Sequence, residues 1–99
     1  MTITVENNQL LVSGLDRLSA VNGDEFREML RQKMAPEFRV VEIDCSTICF
    51  MDSAGLGALI AIHKTMSAHG GRVRLLQPLP VVRQLLRLLL LDQIFEIVN

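Results

Sequence analysis

Ninety-nine residues, 49% of them hydrophobic and only four of them aromatic, are enough for one domain whose core is built from Leu, Ile, Val, Met and Ala. The net charge of −1 excludes a general nucleic-acid binder, because neutralising a phosphate backbone requires a surplus of Lys and Arg gathered on one face. Two cysteines, Cys45 and Cys49, are too few for a disulfide scaffold.

Ile3 and Val5, then Leu10 and Val12, alternate with polar residues on either side of Asn7-Asn8, a pair that tolerates the positive φ of a two-residue turn. The pattern predicts a β-hairpin over Thr2 to Ser13, broken by Gly14-Leu15-Asp16-Arg17. Asn22, with Glu25 three residues on, reads as a capping box. Phe26, Met29, Leu30 and Lys33 follow at helical spacing, so a first helix is expected to reach about Met34 and to stop before Pro36.

Val40 to Asp44, short and mostly apolar, is expected to be a strand covered on both faces. Cys45 to Met51 is a loop or partly extended segment. Asp52 stands where an N-cap belongs, and Ser53-Ala54-Gly55 form the first turn of a second helix. Its inward stripe is Leu56, Leu59, Ile60, His63 and Met66 or Ser67, widened by Ala58, Ala61 and Ile62, and it ends where Gly70 supplies a left-handed position. Arg72 to Leu76 reads as a strand, and Pro80 suits the first position of a third helix with Val82, Leu85, Leu86 and Leu89 inward. Leu88 and Leu91 are its outer members, able to line a partner groove. Ile94 to Val98 is a last strand. The fold class is therefore a single α/β domain spanning residues 1–99, a mixed β-sheet with helices packed against it in the order β-β-α-β-α-β-α-β, with right-handed crossovers between parallel strands.

The most informative segment is Phe50-Met-Asp-Ser-Ala-Gly-Leu-Gly57. Backbone N–H groups at a helix start are unpaired and partly positive, and Ser53 there is accessible. Gly55 and Gly57 each cost about 1 kcal/mol of helix propensity relative to Ala, so another backbone is expected to come close, a partner's active site being one candidate.

Asp52-Ser53-Ala54-Gly55-Leu56-Gly57, preceded by Ile43-Asp44 and a short loop, resembles the signature of STAS-domain anti-sigma factor antagonists. Gly14-Leu15-Asp16 resembles the family's early motif, and Leu91-Asp92-Gln93-Ile94-Phe95 its C-terminal region, so the likeness covers nearly the whole chain. It implies a bacterial partner switch rather than an enzyme, with no cofactor. The unmodified serine form binds a serine kinase that doubles as an anti-sigma factor, phosphorylation releases that kinase, and a metal-dependent serine phosphatase resets the cycle. By position in the motif Ser53 is the phosphoacceptor and Asp52 its neighbour. The partner-binding surface is expected to include Asp16, Ser19, Ser46, Met51, Asp52, Gly55 and Leu56. Relatives often carry a second Ser or Thr where this chain has Ala54, and often continue past the last strand into another helix, whereas this chain ends at Asn99. The alternative within the same family is a permanent, unphosphorylated regulatory subunit of a transporter complex.

Rival chemistries are weaker. Cys45, Cys49, His63 and His69 imitate zinc-finger spacing, but two His six apart on a helix point roughly 120° away from each other, so no metal site is expected. His63 is read as a hydrogen-bonded residue at the core edge, His69 as solvent-facing, and both cysteines as small buried fillers. Met51 to Gly55 lacks the first Gly of a G-x-S-x-G elbow, and Gly55-Leu-Gly57 has neither a third Gly nor a Walker lysine. Without a charged start and apolar stretch at the N-terminus, or a span of ~20 apolar residues, no membrane contact and a cytoplasmic location are the expectation.

Overall fold

The computed structural model describes all 99 residues. Strands β1 (Thr2–Glu6) and β2 (Gln9–Ser13) form the expected hairpin, pairing Glu6 with Gln9, and both turn residues have positive φ, 51° at Asn7 and 61° at Asn8. That geometry twists in the sense the strands require, and Asn accepts it. Then follow β3 (Arg17–Leu18), α1 (Gly23–Lys33), β4 (Val40–Asp44), β5 (Phe50–Met51), α2 (Ser53–Ala68), β6 (Arg72–Leu76), α3 (Pro80–Leu88), a 3₁₀ turn (Leu91–Gln93) and β7 (Glu96–Val98).

The main sheet has the order β1-β2-β4-β6-β7, antiparallel in the hairpin and parallel elsewhere. Each crossover steps to the next strand in the same direction, so right-handed connections place all three helices on one face. The register agrees: Leu10, Val12, Val41, Ile43, Val73 and Leu75 share that face and are all buried in a single apolar cluster. On the opposite face Glu42, Arg74 and Glu96 stand side by side, Arg74 pairing with both acids and reaching Glu96 at 2.8 Å. This corrects the expectation of a β4 strand covered on both faces. One side of it is closed by ion pairs, not by a helix.

Two helix ends follow local chemistry closely and the start of α1 departs from it. Gly70, at φ 74°, donates to Ser67 while Gly71 donates to Met66, the paired bonds of a Schellman stop for α2. Pro80 opens α3 as expected. Asn22, however, makes no side-chain cap on α1, so the capping box does not form. Its amide is used backwards, accepting the Ser19 N–H at 2.9 Å and donating to the Arg17 carbonyl at 2.7 Å.

The expected stripes hold in their centres and shift at their ends. In α2 the buried set is Gly55, Leu56, Ala58, Leu59, Ile62 and Met66, with Ser67 exposed. In α3 Val82 and Leu86 are buried, but the helix stops at Leu88, which leaves Leu89 half exposed rather than inward. Leu91 enters the core through the 3₁₀ turn, so it is not a groove residue. Cys45 is buried and Cys49 is exposed, so only the first is a core filler. His63 packs edge-on against Phe95, ring centres 5.7 Å apart, and its buried Nδ1 has no hydrogen-bond partner, contrary to the expected bonded histidine. No three His, Cys, Asp or Glu side chains converge, and no helix is long and apolar enough to cross a membrane.

Candidate functional site

Two connections meet at the end of the sheet where the parallel strands finish. Asp44 closes β4 and accepts both the N–H and the hydroxyl of Ser46 through one carboxylate oxygen, at 2.9 and 2.7 Å, which turns the chain away from the sheet. Thr47 then donates its hydroxyl to the Leu15 carbonyl, and Cys49 donates its N–H to the Asp16 carbonyl. These bonds draw the β4–β5 connection against the β2–β3 connection. There β3 and β5 pair in parallel over two residues, Arg17 with Phe50 and Leu18 with Met51.

Asp52 is the hub. One carboxylate oxygen accepts the Gly55 N–H at 2.9 Å, capping α2, and the other accepts the Ala20 N–H at 3.1 Å. These backbone donors, Gly55 first and then Ala20, hold its carboxyl below the usual carboxylate range. An N-cap was expected here; its second bond ties the helix start to the loop before α1.

Gly55 sits where α2 crosses β3. A Cβ at this position would lie 1.8 Å from the Leu18 carbonyl oxygen and 3.1 Å from the Ser19 nitrogen. The close backbone foreseen for Gly55 therefore exists, but it belongs to this chain and not to a partner. A Cβ on Gly57 would meet nothing within 4 Å, and this residue is exposed.

Ser53, the first residue of α2, is exposed beside this frame and takes no part in its bonds. Asp16 is exposed as well, while Ser46, Met51 and Asp52 are half-buried at the same end. Three of the expected surface residues lie inside. Ser19 is 2% exposed, its hydroxyl accepting the Val21 N–H and its carbonyl the N–H groups of Asn22 and Gly23, so it is a loop-closing residue. Leu56 is a core residue and Gly55 a packing residue. In their place the site presents two apolar side chains outside the expected surface set, Phe50 at 56% and Val21 at 78% exposure. The signal available for Phe50 was its place at the head of the segment that carries Ser53, since a two-residue strand shows no period. Val21 lies in a loop and gave none.

A family model described as the STAS domain matches residues 3–99. Among solved structures, a candidate anti-sigma factor antagonist from Thermotoga maritima superposes with a TM-score of 0.91 at 22% identity, over 99% of this chain and 85% of that one. The anti-sigma factor antagonist SpoIIAA of Bacillus is similar in two forms at 19% identity over 99% of this chain. Its unphosphorylated form gives a TM-score of 0.83 over 87% of that chain, and its phosphorylated form 0.74 over 90%. The murine anion transporter Slc26a9 matches over 81% of this chain and 13% of its own, with a TM-score of 0.71 at 23% identity. At these identities the likeness is one of fold.

Proposed function

The chain belongs to the STAS domain family, and on that premise we propose that it is a phospho-regulated anti-sigma factor antagonist, in which the unmodified Ser53 form binds a serine kinase that acts as the anti-sigma factor. The observation that carries this reading is the setting of Ser53. It is exposed at the N-terminus of α2, on a start that Asp52 fixes from both sides, with the exposed apolar Phe50 and Val21 at the same end. A rigid, partly apolar platform around one free hydroxyl suits a surface that a kinase both grips and modifies. Asp16, Ser46, Met51 and Asp52 belong to this platform, and a serine phosphatase restores the free hydroxyl. The protein acts by occupancy and turns over no substrate.

Phosphorylation adds about −1.5 to −2 charges and three acceptor oxygens. A helix N-terminus accepts an anion with little distortion, so the fold is kept. The partner meets a new charge instead: a carboxylate about 6 Å away is opposed by about 3 kcal/mol per unit charge at an effective dielectric near 20. Each 1.4 kcal/mol is tenfold in affinity, so binding weakens by about a hundredfold or more. Intact-mass measurement after incubation with the kinase and ATP, then calorimetric titration of the wild type, Ser53→Ala and phosphorylated forms, tests this. Tight binding by the first two and loss in the third is the expected result. Equal affinities would sink the switch and leave the permanent transporter-subunit reading ahead.

A further inference from the structure

The sheet end that carries Ser53 is not the only surface built for contact. In a parallel α/β layer each helix starts where a strand finishes and runs back to the opposite end. Ser53 opens α2, whereas Leu88 closes α3, so the end of α3 lies at the pole away from Ser53. Here four large aliphatic residues crowd the surface: Leu88 at 71%, Leu89 at 51%, Leu90 at 60% and Ile94 at 44% exposure.

Leu90 is the odd member. It follows the C-cap of α3 in the left-handed region, φ 59° and ψ 22°, where glycine is the default because a side chain strains the backbone. A leucine that is strained and also largely in water gains little from its own chain, and such positions gather at functional surfaces.

The charges beside the patch decide what fits it. Three charges, Arg83 and Arg87 one turn apart on α3 and Asp92 on the 3₁₀ turn, border with the already paired Glu96 one groove of about 300 Å³ whose floor includes Leu86 and Phe95. None of the three charges is in an ion pair within the chain. Both signs stand on one small face. A partner of single charge would satisfy one sign and repel the other, and an anionic lipid surface would have to accept Asp92. A copy of the same face turned by a two-fold axis satisfies both, setting Arg87 of each chain toward Asp92 of the other around the shared leucines. We infer that this face is a self-association surface, through which two copies of the chain pair back to back and leave both Ser53 sites free.

Sedimentation velocity of the full chain from micromolar to millimolar concentration tests it. The wild type is expected to pass from one chain mass toward two as concentration rises. Two-fold symmetry counts every substitution twice, so Leu88→Glu should raise the dissociation constant by about a hundredfold. Leu90→Gly should weaken the dimer while raising the melting temperature, because it removes contact and backbone strain together. Arg87→Asp and Asp92→Arg should each weaken pairing, and the double variant should recover it. Circular dichroism of each variant confirms folding. A chain that stays monomeric to millimolar concentration, a dimer indifferent to Leu88→Glu, or absence of recovery in the double variant overturns the inference. So does Leu88-dependent flotation of the chain with vesicles of anionic phospholipid, which would give the face to a membrane.

Discussion

The carbonyl oxygen of Leu18 occupies the place where a side chain on Gly55 would begin, 1.8 Å from the missing Cβ. No rotamer relieves such a contact, since both partners are backbone and both are held, Leu18 in the β3–β5 pair and Gly55 in the capped first turn of α2. Gly55→Ala is therefore expected to destabilise by about 3–5 kcal/mol or to prevent folding. Gly57→Ala fills open space in an exposed helix position and should stabilise by about 0.5–1 kcal/mol. Urea unfolding of both variants checks the contrast. Similar effects of the two would mean that α2 does not cross β3 as described.

The two cysteines offer a test that needs no partner. Burial, with the Asp44 carboxylate adding to it, pushes the Cys45 thiol up to about 12, whereas Cys49 is exposed. The native protein should then react with one equivalent of a thiol reagent at pH 8, at Cys49, and release the second only on unfolding. A thiol with a raised folded pKa favours the native state while it is protonated. Its contribution is full below the unfolded value near 8.5 and is lost as pH rises toward 12. Cys45→Ala should accordingly flatten the alkaline fall in stability. Two equivalents reacting at equal rates in the native state would contradict the burial.

How much of this was legible beforehand varies with the length of the pattern. The hairpin, three helices and parallel strands were readable because Ile3 to Val12, Leu56 to Met66 and Val82 to Leu86 keep a period long enough to recognise. The β3–β5 pair was not, since two-residue strands have no period. The helical spacing of α3 predicted Leu89 inward because nothing in the leucine run marks a stop; the helix ends without a glycine, at a strained Leu90. At the site, Ser53 and the Asp52 cap were visible in one short motif. The long-range half was invisible: which backbone approaches Gly55, and that Asp52 also holds Ala20, depend on the loop before α1 folding over the start of α2.

His63 carries a polar atom that its surroundings do not satisfy. Its Nδ1 is buried without a partner while the ring packs on the edge of Phe95. An apolar residue of similar reach removes that penalty and keeps part of the contact, so His63→Leu should stabilise by about 1 kcal/mol. Thermal unfolding at neutral pH is the measurement. A loss of stability would show that the ring's contact with Phe95 outweighs the unpaired nitrogen.

Asp52 joins two elements that a modified Ser53 would have to share. Its carboxylate already accepts the Gly55 and Ala20 N–H groups, and these bonds depress its pKa. A group depressed in the native state contributes stability above its unfolded value near 3.9, lost as pH falls through the folded value. The stability gap between wild type and Asp52→Asn should thus be flat above about pH 5 and shrink below about pH 4. A phosphate on the adjacent residue brings like charge against this carboxylate and competes for the same helix N-terminus. The bond to Ala20 is the one to yield, because the phosphate remains near α2 while Ala20 is held only from across the loop. Phosphoserine incorporated at position 53 during synthesis should make the Ala20 amide exchange about tenfold faster, with little change in the β4 and β6 amides. Asp52→Asn in the unmodified chain should reproduce part of that acceleration. Unchanged protection of Ala20 in the phosphorylated protein would mean that the modification leaves the loop before α1 untouched, and that its effect on a partner is confined to the charge at Ser53 itself.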